Sequence, residues 1–199
     1  MKAPPRPTNR SIAKYLRKWK KLKKYRLQEE ALTLLFQELC PRHDEINQVL
    51  LKVSALNDFY STNIYDTHSV ARHIKSIKPS NMIVSGDPMA VSKIARVSIG
   101  GTERVFYSFA TKYCNHHHAE AYPIYDSYVH RMLMLYGRID KFAKFTGSDL
   151  RKYASFVNVI RAFQNHYGLD QFSLREIDIF LWLAGKDYLP KRSKRPKRN

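Results

Sequence analysis

Apolar residues recur along most of this chain at the three-to-four-residue interval of an α-helix. From Ile12 onward, Ile12, Tyr15, Leu16, Trp19 and Leu22 fall at i, i+3, i+4, i+7 and i+10, while Lys14, Arg17, Lys18, Lys20, Lys21, Lys23 and Lys24 take the other face. The pattern predicts a helix capped by Thr8, Asn9 or Ser11 behind a flexible proline-rich lead-in. The run "LQEEALTLLFQEL" carries the helical period on until Pro41 stops it. Two more helices are expected in residues 42–77, one on each side of the patch "NDFYSTN", and residues 78–88 read as a connector. "PMAVSKIARVSI" and "TERVFYSFATKYC" read as short helices joined by Gly100 and Gly101. The second carries the stripe Val105, Phe106, Phe109, Ala110, Tyr113 and Cys114. A helix from about Ser127 to Tyr136 follows, then "DLRKYASFVNVIRAFQNHYG", ended by Gly168. "SLREIDIFLWLAGK" opens with a capping box, Ser173 and Glu176, and closes on Gly185. The expected fold class is all-α.

Composition adds charge to this picture. The net charge is +18, but residues 1–26 hold eleven Lys/Arg and no acid, and residues 186–199 hold seven Lys/Arg and one Asp. The ends therefore carry +17, and the segment 27–185 is nearly neutral. This reads as a helical body, 27–185, between a basic N-terminal arm, 1–26, and a basic C-terminal tail, 186–199, suited to a polyanion. Nucleic acid is the first candidate, through phosphate contacts and counterion release, with Lys14, Lys18 and Lys21 as contact residues. An acidic membrane surface competes for the amphipathic stretch 11–25. No run reaches the ~18 apolar residues of a membrane span, and Cys40 and Cys114 fit no paired motif. The expectation is a cytoplasmic monomer, on the nucleoid in a bacterium, with no membrane partner and no cofactor.

The chemistry centres on "HHHAEAYPIYDSYVHRML", residues 116–133. Three consecutive histidines point in different directions and do not converge on one ion, so no metal site is expected and they read as a surface loop. Gly100 and Gly101 have two readings: a structural turn, or free amides at a helix N-terminus that hold a phosphate. Asp126 also has two: an N-cap for the next helix, or a carboxylate among Tyr122, Tyr125 and Tyr128 that acts as base or stabilises positive charge.

The order helix, "IGG" turn, helix, then a loop ending "PIYDSYVHRM" resembles the helix-hairpin-helix DNA glycosylase superfamily over roughly residues 46–136. Pro123, Asp126, Val129 and Arg131 carry the match. The hairpin departs from the usual pattern: it lacks proline and reads "SIGG", and "CNHHHAEAY" lengthens the following loop. The resemblance implies a two-lobed glycosylase-like fold that flips a base from double-stranded DNA and excises it, leaving an abasic site. Asp126 would be the catalytic residue. Gly100, Gly101, Thr102 and Arg104 would grip the backbone, and Asn57, Tyr60 or Asn63 would fill the gap left by the flipped base, unless they only cap a helix turn. The base pocket would draw on Phe59, Tyr60, Tyr125 and Trp182. Thr102 or Glu103 stands where many members have a lysine that nicks the strand, which implies a monofunctional enzyme unless Lys93 or Lys112 reaches the pocket; Lys112 reads as a surface residue. The resemblance points to an oxidised purine or to a hypermodified, glucosylated cytosine of phage DNA as substrate. A non-catalytic nucleic-acid-binding protein is the alternative.

Overall fold

The computed structural model describes residues 3–190. The N-terminal helix α1 (Asn9–Lys20) is capped by Thr8, whose hydroxyl accepts the Ser11 amide while the Ser11 hydroxyl accepts the Thr8 amide. The chain breaks at Lys21 and Leu22, then resumes as α2 (Lys23–Thr33) and a π-helical turn over Leu34–Leu39 that ends before Pro41. The two expected helices are α3 (Ile46–Tyr60), which takes in the first half of the polar-aromatic patch, and α4 (Thr67–Ile77). The connector contains the short helix α5 (Ser80–Val84).

The next region corrects the sequence reading. Helix α6 (Met89–Ala95) gives way to β1 (Arg96–Ile99), which pairs antiparallel with β2 (Thr102–Val105), and helix begins again only at α7 (Tyr107–His117). Gly100 and Gly101, at φ +55° and +75°, form the tip of this ribbon. Two consecutive left-handed residues make the tight turn whose twist matches a β-hairpin, so the glycines link strands where helices were expected. The β-branched residues Val97, Ile99, Thr102 and Val105 favour that outcome locally.

Helix α8 (Ser127–Asp140), a 3-10 turn at Asp149–Arg151, α9 (Tyr153–His166) and α10 (Leu174–Tyr188) complete the fold. Gly168, at φ +60°, follows the end of α9 as expected. The Ser173–Glu176 capping box opens α10. Ile177, Ile179–Leu181, Leu183 and Ala184 are all buried, as suits a helix that is apolar on most sides. It packs against α1 and α8, and one apolar cluster runs continuously from Ile12 to Ala184.

Two features of the expected domain plan change. The amphipathic N-terminal helix is docked, with Ile12 and Tyr15 buried, and the boundary at residue 26 falls inside α2. The C-terminal tail begins inside α10, and residues 191–199 lie outside the described residues. Nor does Gly185 end α10. A Cβ there would lie 2.8 Å from Tyr128 Cβ and 3.2 Å from Met132 Cγ, so the glycine lets α8 and α10 approach closely. Gly185→Ala should therefore cost about 1–3 kcal/mol through overpacking, despite alanine's better helix propensity. Urea unfolding measures this, and a neutral or stabilising effect would refute the close-packing role.

Candidate active site

The loop between α7 and α8 is held to the core by side chains of several helices. Asn115 of α7 donates to the Tyr122 carbonyl at 2.7 Å, and Tyr153 of α9 donates to the Pro123 carbonyl at 3.0 Å. The Ile124 amide donates to Asp178 Oδ2 of α10 at 2.8 Å. Thr111 Oγ1 accepts the Tyr125 amide at 3.2 Å, and Ser108 Oγ donates to the Tyr125 carbonyl at 3.0 Å. The loop's backbone groups are thus satisfied by side chains from three helices, which removes the freedom a loop ordinarily keeps. Asp126 follows and caps α8: its Oδ1 accepts the amides of Tyr128 at 2.6 Å and Val129 at 3.2 Å.

Asp126 lines two adjoining cavities. The inner one, of about 90 Å³, is walled by Trp19, Tyr25, Phe59 and Trp182, with Gln28, Glu29, Tyr60, Lys112, Arg175 and Asp178 among its polar groups. The outer one, of about 640 Å³, shares Tyr25, Phe59, Tyr60, Lys112, Asp126 and Trp182 with it, and adds Ser61–Asn63, Phe106, Tyr107, Tyr125, His130, Arg131 and Arg151. A cavity of about 150 Å³ accepts benzene, so the inner space is too small to enclose a whole aromatic ring.

Lys112 is not a surface residue. It is 5% exposed, and its Nζ donates to Ser108 O at 3.0 Å and to Ser108 Oγ at 2.5 Å. It stands 5.2 Å from the Tyr60 ring centroid. Burial lowers its pKa to about 8, against the pull of Asp126 and Asp178. An amine with this pKa is still mostly protonated near physiological pH, but its neutral fraction, roughly a tenth to a fifth, far exceeds that of an ordinary lysine, which makes it a competent nucleophile or base.

Arg175 and Asp178 form the inner cavity's ionic floor. Arg175 donates to Asp178 Oδ1 and to Glu29 Oε1, each at 2.8 Å. Asp178 is 2% exposed, and burial raises its pKa to about 6 against Arg175 and the Ile124 amide. Tyr60 contacts His116 Nε2 at 3.1 Å, and burial raises its pKa to about 12.

The histidines are likewise corrected. His116 and His117 complete α7; His116 is buried, and Gln37 of the π-helical turn donates to both their carbonyls. Among the described residues no group of three or more His, Cys, Asp or Glu is arranged to hold a metal ion.

Of the expected site residues, Asp126, Tyr60, Phe59 and Trp182 meet at both cavities, and Tyr125 and Asn63 line the outer one. Asn57 does not reach out for a ligand. Its Nδ2 donates to Ile64 O, and its Oδ1 accepts Ile64 N and Thr62 Oγ1, each at 2.9 Å, so it brackets its own turn. Gly100, Gly101, Thr102 and Arg104 sit on the exposed ribbon, and the two glycines join strands and do not open a helix. Lys14, Lys18 and Lys21 line neither cavity, and Lys18 is paired with Asp187 at 2.5 Å. The sequence reading missed Arg175, Asp178, Glu29, Tyr25 and Trp19. A carboxylate at 178 between isoleucines was the available signal.

The HI_0787_N family, described as an N-terminal domain, matches residues 11–121. The chain belongs to this family. An uncharacterized protein of Haemophilus influenzae is 46% identical over 147 residues, covering 73% of this chain and 70% of that one. No solved structure matches. The family region ends at the start of the clamped loop, so the site joins Trp19, Phe59 and Lys112 from inside that region to Asp126, Arg175 and Asp178 from beyond it.

Removing Asp178 leaves the Ile124 amide unpaired and Arg175 with one of its two carboxylates. Asp178→Ala is expected to destabilise the fold by about 3–5 kcal/mol, the cost of breaking a buried ion pair. A loss below about 1 kcal/mol in urea unfolding would show that the loop does not depend on this anchor.

Proposed function

We propose that the protein is a DNA glycosylase, in which the α6–ribbon–α7 unit takes the place of the helix-hairpin-helix and Asp126 stands at the entry of the following helix. The observation that carries the reading is one groove holding both a rigidly presented carboxylate, Asp126, and a buried amine of lowered pKa, Lys112, between aromatic walls. The target nucleotide leaves its stack, because its glycosidic bond is out of reach inside one, and its base lies against the aromatic walls.

As the N-glycosidic bond breaks, the base leaves with the bonding pair and takes up a proton. Asp126 stabilises the positive charge that develops on the sugar. Lys112, as the neutral amine, adds to C1′ and loses a proton. The sugar ring then opens, O4′ is protonated, and a C1′=Nζ iminium remains. The monofunctional expectation excepted a Lys112 that reaches the pocket, and its presence in both cavities supports the amine-assisted course over the monofunctional one. The amine's fraction rises through pH 8, so the rate should climb with pH to about 8 and then level.

The test uses unmodified DNA, oxidatively damaged DNA and phage DNA with and without glucosylated hydroxymethylcytosine. One class should release a base and trap a covalent complex on borohydride reduction. Lys112→Met should abolish trapping, and Asp126→Asn should slow release by about 10²-fold or more. Tight binding without base release from any DNA, unchanged in both variants, would favour a binding protein in which Asp126 is only a cap.

A further inference from the structure

We propose that the outer groove receives an unpaired DNA strand, bases against its aromatic wall and phosphates against Arg131 and Arg151, and that duplex DNA is the poorer ligand. The proposal deepens the glycosylase reading and rests on its assignment of this groove to the substrate.

Three observations lead to it. Phe59, Phe106, Tyr107, Tyr125 and Trp182 line the groove and are partly exposed, which gives it an accessible aromatic wall for base stacking. Such a wall binds any base but is useful only when the base is unstacked. The polar lining has matching charge: among the described residues lining the groove, Asp126 is the sole carboxylate, against the guanidinium groups of Arg131 and Arg151. Arg151 is exposed at the rim, with its guanidinium available to a phosphate, and Arg131 is held by the Pro190 carbonyl at 3.3 Å. Aromatic faces interleaved with cations are the general chemistry of single-strand grooves.

The third observation concerns the devices that would manage a duplex. The diglycine turn expected to present backbone amides to a duplex phosphate is a ribbon tip, and Asn57, one of three candidates with Tyr60 and Asn63 for filling the gap behind a flipped base, is spent on Thr62 and Ile64. An unpaired strand requires neither.

The chain has two tryptophans; Trp182 lines both cavities, whereas Trp19 lies on the basic helix α1, so the titrations use a Trp19→Phe background in which the remaining fluorescence reports the groove. The full chain is titrated with a 15-nucleotide single strand and with the same sequence as a blunt duplex, at about 0.15 M salt. The single strand should quench at a concentration at least about tenfold lower. Arg151→Gln should weaken that binding and reduce its salt slope by about 0.7, the contribution of one single-strand phosphate, and Phe106→Ala should weaken it without changing the slope. Quenching by the duplex at equal or lower concentration overturns the proposal and leaves the active-site reading intact, as does undiminished single-strand quenching in both variants. Selective single-strand quenching without base release from any DNA supports the groove assignment and contradicts the glycosylase.

Discussion

Five side chains hold the backbone of residues 122–125, and the proposed site depends on them. Ser108, Thr111 and Asn115 reach it from α7, Tyr153 from α9 and Asp178 from α10. Each such bond contributes about 0.5–1.5 kcal/mol net, but leaving one of these buried groups unpaired costs more. The arrangement therefore acts as a unit. It fixes the direction in which the chain enters α8, and so the position of Asp126. Ser108 connects this clamp to the amine: its hydroxyl accepts from Lys112 while donating to the Tyr125 carbonyl.

The same helix that anchors the loop supplies the cavity's ionic floor. Asp178 divides its two oxygens between the Ile124 amide and Arg175, and Arg175 is tied to Glu29 of α2. Burying these charges is costly, and a packed apolar cluster in their place would be no less stable by the usual comparison. Their placement at the floor of a cavity shared with Lys112 and Asp126 is better understood through the site than through stability. Together α2, α7, α8 and α10 bring a cation, three carboxylates and an amine to one aromatic recess.

The helices were readable because their signals are local. The Thr8 and Ser173 caps, the stop at Pro41 and the glycine after α9 depend on neighbours a few residues away. The ribbon was misread because the stripe starting at Val105 continues smoothly into α7, and only the β-branched residues around the diglycine mark the change of period. Gly185 reads as a helix end in the sequence because its reason for being glycine lies on α8. Asp126 could be singled out from its proline-aromatic context, but its partner Lys112 could not, since burial of a lysine depends on what α7 packs against. In hindsight α7 carries Ser108, Thr111, Lys112 and Asn115 at i, i+3, i+4 and i+7. A polar stripe of that period in an otherwise apolar helix marks a buried polar face.

Amide hydrogen exchange at Ile124 and Tyr125 tests the central claim most directly, because it measures the free energy needed to open the clamp. If the loop is locked into the fold, both amides exchange only through global or near-global unfolding, with protection approaching that of α10. Exchange at the rate of an ordinary surface loop would mean that Asp126 is not held in place, and the account of the site would fail with it.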